Sequence, residues 1–163
     1  MSNGHSVLRG AAAGVAATIP MTIVMEALRA VLPAEQNRRM PPREIVDRTI
    51  EKTIETAGEG AELDGGDRIA LTTAAHFAFG AAAGAVYGAA VGARRSSALI
   101  GMAYGLGVWA AAYGVGLPSL GLHPAATRDT TDRNEVLVAS HLVWGATLGL
   151  MLRSTNFGSS VSK

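Results

Sequence analysis

The sequence predicts an all-α protein: one integral membrane domain built as a four-helix transmembrane bundle, with an interfacial amphipathic helix between the first and second spans. Three observations carry this prediction. Only 17% of the 163 residues are charged, against 48% hydrophobic. All 13 Asp and Glu fall within Glu26 to Asp67 and Asp129 to Glu135. Four stretches, Gly10 to Met25, Ile69 to Ala93, Ser96 to Thr127 and Val136 to Leu152, contain no Asp, Glu, Lys or Arg. A hydrocarbon core about 30 Å thick takes roughly 20 helical residues. With its flanks each stretch reaches or approaches that length, giving spans at about Val7 to Val31, Ile69 to Ala93, Ala98 to Leu117 and Glu135 to Leu152. Helices apolar on every face have no side to offer water, which disfavours a soluble bundle. The mean hydropathy of only +0.24 reflects Ala- and Gly-rich spans averaged with a polar middle segment.

The first span follows Arg9 and ends in Glu26 and Arg29. It is longer than a signal-peptide core and lacks a small-x-small cleavage site, so it reads as retained. Pro20 removes a helix hydrogen bond and should kink this span, with Thr18 and Thr22 placed to satisfy freed carbonyls. Pro33 to Arg68 is a polar insertion. Pro41-Pro42 suits a helix start, and Ile45, Thr49 and Thr53 with Val46, Ile50 and Ile54 recur at four-residue steps. Glu44, Asp47, Arg48, Glu51, Lys52 and Glu55 occupy the opposite side, and their balanced charge does not match a polybasic lipid-seeking helix. Gly58-Glu-Gly60 and Gly65-Gly66 read as a flexible link.

The second and fourth spans share the pattern His-apolar-x-aromatic-Gly-Ala-x-x-Gly, in His76 to Gly84 and His141 to Gly149. The first and third match less closely, Leu8-Arg-Gly10 to Gly14 resembling Leu99-Ile-Gly101 to Gly105. Two like-oriented hairpins related by an axis along the membrane normal would explain both matches. Gly80, Gly84, Gly88 and Gly92 form one stripe, and Gly10/Gly14, Gly101/Gly105 and Gly145/Gly149 repeat its spacing. Lipid gives helices little hydrophobic reason to associate, so close contact along small residues is the expected packing device, within the bundle or in a homo-oligomer. Gly105-Leu-Gly107-Val-Trp-Ala110 superficially fits a dinucleotide fingerprint, but no strand precedes it.

The composition excludes several functions. No Cys is present, so disulfides and thiol chemistry are absent. Two Lys and a net charge of +1, without a basic run, disfavour nucleic acid. The expected partners are the lipid bilayer and either further copies of the chain or a membrane partner subunit.

Polar groups inside spans mark functional positions. Glu26 and Arg29 at the exit of the first span, His76, His141 and the loop residue His123 should converge near one membrane face. Three readings fit: hydrogen bonding across helices, with Glu26 and Arg29 as an interfacial pair; a metal or proton-relay site built from His and Glu26; and a b-type haem held between His76 and His141. No His-Glu-x-x-His, Cys-x-x-Cys-His or paired Glu-x-x-His motif singles one out. Trp109, Tyr113, Tyr87 and Trp144 read as packing or interfacial anchors. Pro124 to Asn134 reads as a solvated turn into the last helix.

Thr18-Ile-Pro20-Met21-Thr22, Leu32-Pro33, Pro41-Pro42-Arg43-Glu44-Ile45, Gly121-Leu-His123-Pro124 and His141-Leu-Val-Trp144-Gly145 together give a chain that resembles the YagU-type family of small bacterial inner-membrane proteins of unknown function. The resemblance covers most of the chain. It implies a multi-pass protein of a bacterial inner membrane, and brings no catalytic residues with it. For orientation, Arg9, Arg94, Arg95, Arg153 and Lys163 abut span ends without an acid, whereas the other nine Lys and Arg, Arg29 with those of the insertion and last loop, are mixed with acids. Cytoplasmic termini are therefore expected, against the simple Lys/Arg count.

Overall fold

The computed structural model describes residues 3–33, 45–51, 65–123, 125–128 and 130–154. Among these, long helices account for nearly all the structure and no strand occurs. Helix α1 runs Asn3–Ala30, residues 45–51 form α2, α3 runs Gly65–Ala90, α4 begins with Ala98–Trp109, and α5 runs Thr131–Ser154. After Trp109, α4 widens into a π-helical segment, Ala110–Gly116, and closes with the turn Leu117–Ser119. Four helices, α1, α3, α4 with its extension, and α5, are long and apolar enough to cross a membrane. The four expected spans are present, each extended by up to about a turn at one or both ends, except that the second stops at Ala90. The expected helix start at Pro41-Pro42, with Glu44, Lys52, Thr53, Ile54, Glu55, Gly58 and Gly60, lies outside the described residues.

Small residues line the helix contacts of the bundle, although Tyr87, Leu137, Trp144, Leu148 and Leu152 are also buried. Gly10, Ala13, Gly14, Ala17, Thr18, Ser140, Gly145 and Gly149 are buried. Leu8, Ile19, Ile23, Phe79, Val86, Leu99, Val115 and Leu150 are exposed. Large aliphatic groups outside and small ones inside are what a lipid solvent favours, because only close backbone approach rewards helix association there. Thr18, Thr22, Thr72, Thr73 and Ser140 each bond a carbonyl four residues back in their own helix, so their hydroxyls need no water.

Two antiparallel hairpins result. In the first, α1 lies on α3 along Gly10 and Gly14 against Gly80, Gly84 and Gly88. A Cβ placed on Gly84 would meet the Gly10 carbonyl, and one on Gly14 the Gly80 carbonyl. In the second, α4 lies on α5: a Cβ on Gly149 would meet the Ser97 carbonyl, and one on Gly101 the Gly145 carbonyl. The geometry therefore repeats with His76, Gly80 and Gly84 equivalent to His141, Gly145 and Gly149, as the sequence pattern suggests. The first and third spans need a correction. Gly10 and Gly14 correspond to Ser97 and Gly101, one helical turn away from the Gly101 and Gly105 that the sequence match selects. Serine is small enough to continue the groove, so a glycine-only match places the register wrongly.

Helices α1 and α5 pack antiparallel against each other and join the hairpins. The Trp144 indole donates to the Gly14 carbonyl at 3.3 Å, and Met25 clusters with Val136. The remaining gap, between α3 and α4, is bridged by side chains. Tyr104 donates to the Ala83 carbonyl at 2.8 Å, and its ring makes tilted contacts with Tyr87 and Trp144. Ser96 donates to the Gly149 carbonyl at 2.7 Å, which leaves the Tyr87 hydroxyl to donate to Ser96 at 3.0 Å.

Three expectations are revised. Gly92 does not extend the stripe: α3 has ended, Gly92 has φ +65° and a Cβ there would meet nothing. It serves the chain reversal after the helix. Gly65-Gly66 is the first turn of α3 rather than a flexible link, with Asp67 placed favourably at the helix's positive end. Around Pro20, Thr18 and Thr22 bond the Gly14 and Thr18 carbonyls, whereas the carbonyl deprived of its donor belongs to Ala16.

Candidate functional site

The aromatic bridge fills the half of the α3–α4 gap nearest the chain reversal at Val91 to Ser97. The other half holds a partly open cavity of about 240 Å³ lined by Met21, Val46, His76, Phe79, Tyr113 and His141, with Ile45, Thr72, Ala75, Ala112 and Leu117. Each wall has a local cause. His76 stands one turn before Gly80, and His141 one turn before Gly145. The small residues draw the helices together, and the bulkier His turn holds them apart. Met21 continues the buried α1 stripe of Ala13 and Ala17. Helix α2 lays Ile45 and Val46 over one end of the cavity and is tethered by Asp47, which accepts from Arg68 at 2.9 Å. The amphipathic pattern holds in part over the described residues of α2: Val46 is buried and Arg48 and Glu51 are exposed, but Thr49 is exposed and Asp47 is half-buried.

The polar groups of the cavity are few and specific. His76 lies 11 residues into α3 and His141 10 residues into α5, about 15 Å along each helix and at matching depth. His141 is buried, and its Nδ1 bonds the Leu137 carbonyl at 2.7 Å. Because a carbonyl only accepts, Nδ1 carries the proton and Nε2 remains an acceptor. His76 Nε2 is buried without a hydrogen-bond partner among the described residues. Tyr113 stands edge-on to both His141 and His123, with centroids 5.9 and 5.6 Å apart.

Of the five residues expected to converge, His76 and His141 share the cavity, and buried His123 adjoins it through Tyr113. Glu26 and Arg29 do not join them. They form a 2.9 Å ion pair with each other, half-exposed, because the buried face of α1 passes through Met21 and Met25 and turns these neighbours outward. This leaves the metal reading without its carboxylate. Among the described residues no three His, Asp or Glu side chains gather as a ligand set. A haem does not fit, since a rigid macrocycle is much larger than the cavity of about 240 Å³ between the two histidines.

Sequence reasoning reads Tyr113 as a packing or interfacial anchor, and misses the π segment that sets it against two histidines. The available signal is Pro118. Its ring cannot donate and would crowd the carbonyl four residues earlier in a regular α-helix. Widening the preceding turns relieves that conflict: the Leu117 N–H bonds Ala112, five residues back. Such segments recur at functional sites because they re-aim a side chain without breaking the helix.

No protein-family model, curated protein or solved structure matches the chain.

Proposed function

We propose that the protein is a polytopic protein of a bacterial inner membrane, its termini cytoplasmic, with a transport-like or regulatory role exercised by binding a small amphiphile in the cavity between α3 and α4. The observation that supports this reading most directly is His76 Nε2, a buried polar atom without a partner on the wall of a mostly apolar cavity. Leaving such an atom unsatisfied costs roughly 1–3 kcal/mol, which a ligand bearing one hydrogen-bonding group would recover. The His141 acceptor supplies a second polar contact, while Met21, Phe79, Val46 and Leu117 suit an apolar body. Resemblance to the YagU-type family supports the membrane assigned, and the acid-free cations at the terminal side support the orientation.

The test is native mass spectrometry of the full chain released from bacterial membranes. Wild-type protein should retain a small molecule that H76L loses. Equal loads on wild type and H76L would reject the cavity as the binding site. A metal ion bridging His76 and His141, with solvent completing its shell, is the second reading. Elemental analysis separates it from the first.

A further inference from the structure

The opposite end of the bundle carries a second concavity, unrelated to the histidine cavity. A cleft of about 320 Å³ is lined by Ser6 and Arg9 of α1, by Val91 and Ala93 to Arg95 of the α3–α4 reversal, and by Leu152 of α5. Three arginines therefore line one cleft, whose apolar wall includes Val91, Ala93 and the buried Leu152. Arg9 Nη1 is itself buried and has no hydrogen-bond partner among the described residues.

A buried guanidinium nitrogen without an acceptor is costly, and more so beside two further cations. Among the described residues no Asp or Glu side chain lines the cleft. Every Asp and Glu side chain belongs to Glu26 to Asp67 or Asp129 to Glu135. The described Asp and Glu of those segments lie at the other end of the bundle. Among the described residues, no acidic side chain supplies the acceptor that Arg9 Nη1 lacks.

We propose that this cleft binds a phosphate group, with Arg9, Arg94 and Arg95 as its ligands, and that the apolar wall of Val91, Ala93 and Leu152 takes the adjoining hydrocarbon when the phosphate belongs to an anionic lipid. Guanidinium suits phosphate because its planar donors pair with two oxygens at once. Arg9 lies six residues into α1, about 9 Å along its axis, where its side chain reaches the headgroup layer from just inside the span.

Thermal unfolding of the full chain in a neutral detergent tests this with three additions: phosphatidylglycerol, phosphatidylcholine and inorganic phosphate. Phosphatidylglycerol should raise the midpoint by several degrees, and phosphatidylcholine should not. A rise with inorganic phosphate as large as with phosphatidylglycerol keeps the site but assigns it to free phosphate. R9Q should weaken the phosphatidylglycerol response about fivefold in concentration. R94Q/R95Q, altered only in the reversal outside the long helices, should do the same and guards against misfolding of R9Q. R153Q, outside the cleft, should respond like wild type. Equal responses to the two lipids, no response to either phospholipid or phosphate, or an unchanged response in R94Q/R95Q would overturn the proposal.

Discussion

Tyr113 stands perpendicular to His141, with ring planes at 87° and centroids 5.9 Å apart, and meets His123 the same way on its other side. An edge-on aromatic neighbour fixes the plane of an imidazole without consuming its hydrogen-bonding atoms. Tyr113 thereby joins a loop histidine to a membrane-depth histidine, and it does so from the π segment of α4.

Deleting Ala111 together with P118A, which removes the cause of the widening, should test that segment. A π segment behaves as an inserted residue, so removing one position should restore regular α-helix and turn Tyr113 away while sparing the helices on either side. The variant is expected to fold, with helical circular dichroism like wild type, and to lose any small molecule retained by the wild-type cavity.

The glycine grooves should reject even a methyl group. G84A directs a Cβ at the Gly10 carbonyl, and G101A directs one at the Gly145 carbonyl. Backbone cannot swing aside as a side chain does, so each should lose about 1–3 kcal/mol, and G84L about 3 kcal/mol or more. G107A, where nothing lies within 4 Å, should be neutral or slightly stabilising. Thermal midpoints of the four variants in one detergent give the comparison.

Ser96 should couple to Tyr87. S96A strands the Tyr87 hydroxyl in a fully buried place, at a cost of about 1–3 kcal/mol. Y87F in the same chain should recover part of that loss, and a double-mutant cycle on unfolding free energy reads the coupling. Additive losses would show that the two hydroxyls do not share one bond.

Purified protein should show no haem absorption band in the visible spectrum, because the cavity between His76 and His141 cannot seat a macrocycle. A bis-imidazole haem spectrum would mean that α3 and α4 separate more widely than in this structure.

C-terminal fusions to a cytoplasm-active reporter and to a periplasm-active one should give signal only from the first. Signal from the periplasmic reporter alone would reverse the proposed orientation.

The sequence specified the spans because absence of charge over a bilayer's thickness is a coarse signal that survives shifts of a few residues. Packing along Gly80, Gly84 and Gly88 was equally visible, since helix periodicity puts residues four apart on one face. Legibility failed where the outcome depended on how helices meet. The α1–α4 equivalence slipped a turn because Ser97 does the work of a glycine. Glu26 looked close to the histidines along the chain, but one residue beyond Met25 is a rotation of about 100° around the helix. Tyr113 was hidden because regular periodicity assigns its direction wrongly once Pro118 has widened the helix behind it.

The uneven placement of charge gives the molecule a handle for the membrane potential. Among the described residues, Arg9, Arg94, Arg95 and Arg153 lie at the terminal side without a carboxylate. At the other end Glu26, Asp47, Glu51, Asp67, Asp132 and Glu135 outnumber Arg29, Arg48, Arg68, Arg128 and Arg133. The bundle is therefore a permanent electric dipole along the axis of its spans. Each elementary charge carried across 100 mV is worth about 2.3 kcal/mol. In an energised, inside-negative membrane the field pulls the arginine end inward, so the membrane voltage would itself favour the proposed orientation over its reverse.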